Sequence, residues 1–138
     1  MKYISVKHVV LFSALAFAAA MSAQVQQKMS ADIPFDFKVG ASVFSAGHYT
    51  VTSLLPGIIE LRESDSKQIA TMTTHSAESL TSTEKGKLVF HRYADVYYLS
   101  QVWGAGQTEG RELPRSDAER ETAKNSDRPT IAMVRLNQ

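Results

Sequence analysis

The chain has no cysteine. That excludes a disulfide framework, a thiolate zinc site, thiol catalysis and lipid attachment through sulfur. Nor does it carry an excess of charge of either sign: 15 Lys+Arg stand against 14 Asp+Glu in 138 residues, a formal net charge of +1. A nucleic-acid binder needs a basic surplus to neutralise phosphates, so that class is excluded too. The longest polar-poor run, Val9–Ala20, has 12 residues, short of the ~20 that a membrane-spanning helix needs.

Catalytic signatures are missing as well. There is no Gly-x-Ser-x-Gly elbow. His48, His75 and His91 are far apart and show none of the short paired spacings of metal ligands. Two Ser-x-x-Lys matches, Ser64–Lys67 and Ser82–Lys85, lie in polar turns without companion motifs. Gly104-Ala105-Gly106 follows a strand-like run as a dinucleotide turn would, but Pro114 stands where the helix should form. The residues therefore predict no metal centre and no cofactor.

What is present begins with an address. Lys2, Lys7 and His8 form a basic start, Val9–Ala20 an apolar core, and Ala18, Ala20, Ser22 and Ala23 a stretch of small residues. This is the order of a secretory signal peptide, read over residues 1–23. Its removal takes two of the cationic residues, leaving 13 against 14 acidic ones, and 115 of the 138 residues. The remainder, residues 24–138, is read as one domain, large enough to fold without staples. The expected destination is periplasmic or extracellular, with no membrane span after cleavage.

The rest reads as short β-runs broken by turns. Ile33, Phe35, Phe37 and Val39 alternate with Pro34, Asp36 and Lys38, the period-two pattern of a half-buried strand. Pro34, which has no N–H, assigns it to an edge. Pro56-Gly57 is a type II turn signal. Ser76–Gly86 and Gly104–Gly110 read as polar, flexible connections. Lys87–Tyr93 and Val96–Trp103 are rich in aromatic and β-branched residues, and only Ala94-Asp95 separates them, which predicts a tight hairpin. Ser116-Asp117-Ala118-Glu119 fits a capping box and predicts a short, polar surface helix over about Asp117–Lys124. Thr130–Leu136 is a last strand. About seven strands at 8–12-residue spacing predict an all-β, mainly antiparallel sandwich or small barrel with one C-terminal surface helix.

Three stretches also carry a resemblance. Ala31–Val51 (ADIPFDFKVGASVFSAGHYTV), Gly86–Trp103 (GKLVFHRYADVYYLSQVW) and Gly110–Glu121 (GRELPRSDAERE) are similar to segments of an uncharacterised family of small exported acidobacterial proteins. The resemblance spans nearly all of the chain after residue 23. It implies one complete exported domain and brings no catalytic residues.

The aromatic hairpin is the most informative constellation. A two-residue turn at Ala94-Asp95 pairs Arg92 with Tyr97, His91 with Tyr98 and Phe90 with Leu99, and alternation places Trp103 on the side of Leu99 and Tyr97. Both hairpin faces are partly apolar, so one fills the core and the other needs a cover: the 104–129 segment, a ligand or a partner. His91, Arg92, Tyr97, Tyr98 and Trp103 are the candidate ligand-binding residues. The expected function is an exported, non-enzymatic β-domain that binds a small molecule or an envelope protein. Two alternatives stand beside it. One is a small hydrolase or isomerase with His91, Arg92, Asp95 and Tyr97 converging in a pocket. The other is a structural subunit that assembles through edge strands.

Overall fold

A computed structural model describes residues 26–137. The expected signal peptide, residues 1–23, lies outside the described residues. Eleven strands and one helix follow in order: β1 Lys28–Ile33, β2 Phe37–Val39, β3 Ser42–Phe44, β4 Gly47–Leu55, β5 Ile58–Glu63, β6 Ile69–Thr73, β7 His75–Glu78, β8 Lys87–Tyr93, β9 Val96–Trp103, β10 Glu109–Glu112, α1 Asp117–Lys124 and β11 Thr130–Arg135. They build a sandwich-like fold. One sheet runs β1-β4-β5-β6, the other β11-β8-β9-β10-β7, with the β2–β3 hairpin alongside β9. Every pairing is antiparallel except the single parallel contact of Lys38 with Tyr98.

Besides the chain crossings between β1 and β2 and between β3 and β4, the sheets meet at two margins. Ser30 and Asn137 exchange two backbone hydrogen bonds, of 2.9 and 2.7 Å, joining the β1 edge to the chain just past β11. At the other side the chain passes from β6 into β7 with only Thr74 between them. Thr74 N–H donates to Gly57 O at 2.7 Å, and its hydroxyl donates to the same oxygen at 3.0 Å.

The strand count exceeds the expected seven because the ladder recruits segments with no apolar alternation. His75–Glu78 and Glu109–Glu112 pair with each other, although the sequence reads them as polar connections. The expected Ile33–Val39 strand is in fact two. Pro34 cannot donate to a ladder, and Asp36 accepts the Ala46 N–H at 2.8 Å, so the chain breaks between β1 and β2. Pro34 lies in that break rather than within an edge strand. Gly57 occupies its turn with φ 80°, as a type II turn requires at that position.

The interior between the sheets is filled by aromatic and aliphatic side chains. Phe37 sits at its centre, with its ring 5.4 Å from Phe44, 5.1 Å from Tyr49 and 5.5 Å from Phe90. Contacts in this geometry add ~0.5–1.5 kcal/mol each beyond burial. Tyr49 keeps its hydroxyl satisfied by donating to Ser45 O.

The hairpin pairs Arg92 with Tyr97, His91 with Tyr98 and Phe90 with Leu99 as the two-residue turn predicts; the register then shifts, so that Val89 faces Gln101. Ser100 is the extra residue of a β-bulge. The bulge corrects one expectation. Leu99 and Val102 both point into the core, so Trp103 faces away from Leu99. Its ring lies over Gly110 of β10, the residue directly across from it. A methyl group at Gly110 would come within 2.5 Å of the Trp103 ring. Gly110 thus serves a close approach rather than chain flexibility.

Two outcomes are expected. Gly110→Ala should lose ~1–3 kcal/mol in urea unfolding, the usual cost of overpacking, with a shift in Trp103 fluorescence; an unchanged midpoint would contradict this packing. The Tyr49 phenol is pushed up to about 12, first by burial and then by Glu63 and Asp36. The unfolded chain therefore ionises first, at about pH 10. Stability should be intact below that pH and fall as the pH rises toward 12. Phenolate absorbance should track unfolding, and Tyr49→Phe should lessen the fall.

Candidate functional site

The outer face of the β8–β9 hairpin carries a buried polar cluster under α1. The helix starts at Ser116, whose hydroxyl accepts the Glu119 N–H at 3.1 Å. The Glu119 side chain does not reach back as a capping box would. It turns inward, 4% exposed. His91 Nδ1–H donates to Glu119 Oε1 at 2.7 Å, and the Tyr93 hydroxyl donates to the same oxygen at 3.0 Å. On the other side of the ring, Nε2 lies 3.2 Å from the Ser100 hydroxyl. Arg115 Nε stands 3.8 Å from Glu119. Beside this chain the Tyr98 and Thr122 hydroxyls share a hydrogen bond of 2.8 Å. Burial, and next the hydrogen bond to Glu119, holds the Tyr93 phenol above its usual range. Among the described residues no buried side-chain polar atom lacks a partner.

The atom order Ser Oγ–His Nε2, His Nδ1–carboxylate is the one that activates a serine nucleophile. Here the serine is 3% exposed. The nearest cavity is lined by its neighbours Tyr98, Leu99 and Glu119 but not by Ser100 or His91. Enclosed in this way, the three groups tie the helix to the sheet. The helix is therefore a surface helix held from below by a carboxylate, and it supplies the cover that the second hairpin face needs.

The five candidate residues divide between two faces. His91 and Tyr98 sit under α1. Arg92 and Tyr97 lie on the opposite face at the turn end, with the guanidinium 5.4 Å above the Tyr97 ring and Phe35 stacked on Tyr97 at 3.8 Å. Trp103 lies at the far end of β9 and donates from Nε1 to Gln101 Oε1 at 2.9 Å, with Lys87 Nζ 5.9 Å from the ring centre. Asp95 is fully exposed in the turn. His91, Arg92, Asp95 and Tyr97 therefore do not converge. Elsewhere His48 pairs with Asp32 at 2.6 Å, and no group of three metal-ligating side chains gathers among the described residues.

Comparison with family models, with curated proteins and with solved structures finds no match. What remains is the geometry, and it contains a second site that the sequence reading missed. Hydrogen bonds from Glu63 N–H to Gln68 O (3.2 Å) and from Thr74 N–H to Gly57 O (2.7 Å) frame the β5–β6 ladder. Antiparallel ladders alternate, so Ala70 and Met72 face β5 while the N–H and C=O groups of Ile69, Thr71 and Thr73 point away from it. Beyond Thr74 the strand pairs with β10, which ends on the Glu112–His75 pair. Two residues further, Pro114 has no N–H to continue. A groove of about 440 Å3 opens there, between β6 on one side and Val39, Leu113, Pro114 and Ser116 on the other, with Tyr98 and Leu99 also lining it. A different cavity, of about 490 Å3, lies at an open end of the sandwich among Met29, Val51, Ile59, Val102, Gln107 and Arg111.

The helix attachment is testable. Glu119→Ala leaves the His91 and Tyr93 donors buried without their acceptor, which costs ~2–4 kcal/mol. Amide exchange in α1 should accelerate while β8 and β9 stay protected. Equal loss of protection in helix and sheet would show that the helix is not separately anchored.

Proposed function

We propose that this chain is an exported, non-catalytic β-domain that binds a polypeptide partner in the bacterial cell envelope or outside it. The observation that carries the reading is where the space lies. The interior between the sheets is packed around Phe37, Tyr49 and Phe90. A groove of about 440 Å3 opens instead beside a strand edge with free backbone groups. Among the described residues the serine–histidine–carboxylate chain lies beneath its own helix, with Ser100 and Glu119 buried and His91 half-buried. The basic-apolar-small order of residues 1–23 supports export, and the similarity of three segments to the exported acidobacterial family agrees with it. A second reading, small-molecule binding, is favoured by the 490 Å3 end cavity, where Met29 and Val102 meet the polar rim of Gln107 and Arg111.

The secreted protein should begin at or just before Gln24 by N-terminal sequencing. It should turn over no ester, peptide or glycoside in a broad substrate panel. Retention of residues 1–23 in the exported product would refute the signal assignment. Turnover lost in both His91→Ala and Ser100→Ala would refute the non-catalytic reading.

A further inference from the structure

We infer that the free edge of β6 is a docking site for an extended segment of a partner protein, one with apolar side chains at alternate positions and a carboxylate beside them. This rests on the binding reading above and gives it a place and a chemistry.

The first argument is hydrogen-bond complementarity. Ile69, Thr71 and Thr73 present three N–H and three C=O groups along one edge, spaced by two residues. An added β-strand matches that row, and strand addition to an exposed edge is a general mode of peptide recognition. The second argument is the lack of protection. Edge strands are normally blunted by charge, proline or a bulge. Of the other edge strands, β1 carries Lys28 and Asp32, β7 carries Glu78 and β11 carries Arg135, while β3 is uncharged but only three residues long. β6 is Ile-Ala-Thr-Met-Thr, with no charge and no proline. Its ladder with β5 runs without a register shift.

The third argument is the groove. β10 ends at Glu112 and a groove opens beyond it, whose lining includes the apolar side chains of Val39, Met72, Leu99 and Leu113. A strand seated on β6 would turn every second side chain toward that lining. Charge supplies the last part. Lys38 Nζ lies 5.7 Å from the Tyr98 ring, which lines the groove. Arg115, half-exposed, stands between the lining residues Pro114 and Ser116 with its Nε 3.8 Å from the buried Glu119 carboxylate. That carboxylate also accepts from His91 and Tyr93. Lys38, which has no carboxylate partner among the described residues, therefore favours an acidic residue on the incoming segment.

The test uses the secreted full-length domain and a capped heptapeptide of alternating valine and threonine with aspartate at both ends. A control peptide is N-methylated at alternate residues. Amide exchange read by NMR should slow on the order of tenfold at Ile69, Thr71 and Thr73 with the plain peptide, and should not change with the methylated one. Thr71→Pro removes a donor that β5 does not use, so the fold should persist by circular dichroism while binding is lost. Replacing the terminal aspartates by lysine should weaken binding. No protection at millimolar peptide, protection at β1, β7 or β11 instead, or binding insensitive to N-methylation would overturn the inference. So would concentration-dependent protection of β6 without peptide, which would mean that a second copy occupies the edge. None of these outcomes touches the non-catalytic reading, which falls only on turnover that depends on Ser100 and His91.

Discussion

One inserted residue sets the geometry of both faces of the central hairpin. Without the bulge at Ser100, strict alternation would put Trp103 beside Leu99 and turn Val102 outward. With it, Leu99 and Val102 both enter the core, while Tyr98, Ser100 and Trp103 face the opposite layer. The core keeps two aliphatic side chains in register with Phe90 and Leu88. The outer face gains a hydroxyl aimed at His91 and an indole that needs the bare backbone of Gly110 beneath it. Bulges re-aim side chains in this way at little cost in pairing, and here the re-aiming decides which surface α1 covers.

The second layer is built differently from the first. Between the sheets the contacts are apolar and aromatic. Between sheet and helix they are hydrogen bonds that converge on Glu119. The helix residues facing the sheet include Ala118, Glu119 and Thr122, none of which brings a large apolar surface. Non-directional burial tolerates small shifts, whereas a carboxylate sharing one oxygen between an imidazole and a phenol does not. The helix is thus placed more by direction than by area, and the same network that resembles a catalytic chain explains why it is fully satisfied and closed.

Much of the fold was legible in the sequence wherever local chemistry decided it. The Ala94-Asp95 turn and its three cross-strand pairs, the type II turn at Gly57 and the Asp117–Lys124 helix all follow from residues a few positions apart. What could not be read depends on distant partners. His75–Glu78 and Glu109–Glu112 have no apolar rhythm and become strands only because they meet each other. Lys28 and Met29 precede the alternating run that begins at Ile33, yet Met29 is buried once β1 pairs with β4. The site was less legible still. His91, Tyr98 and Trp103 stood out by type. Glu119, however, read as a helix cap, Ser100 gave no signal, and a free strand edge is a property of backbone groups that no side-chain motif announces.

A sandwich without cysteine still needs something to keep its two leaves from sliding. Here the chain itself does this at one side, because the strand that leaves β5 at Thr74 becomes the partner of β10. At the other side Ser30 and Asn137 close the seam with two hydrogen bonds. The chain also crosses between the leaves from Ile33 to Phe37 and from Phe44 to Gly47. The leaves are therefore tied covalently at three places, and they cannot swing apart about Thr74 alone even if the Ser30–Asn137 clasp opens.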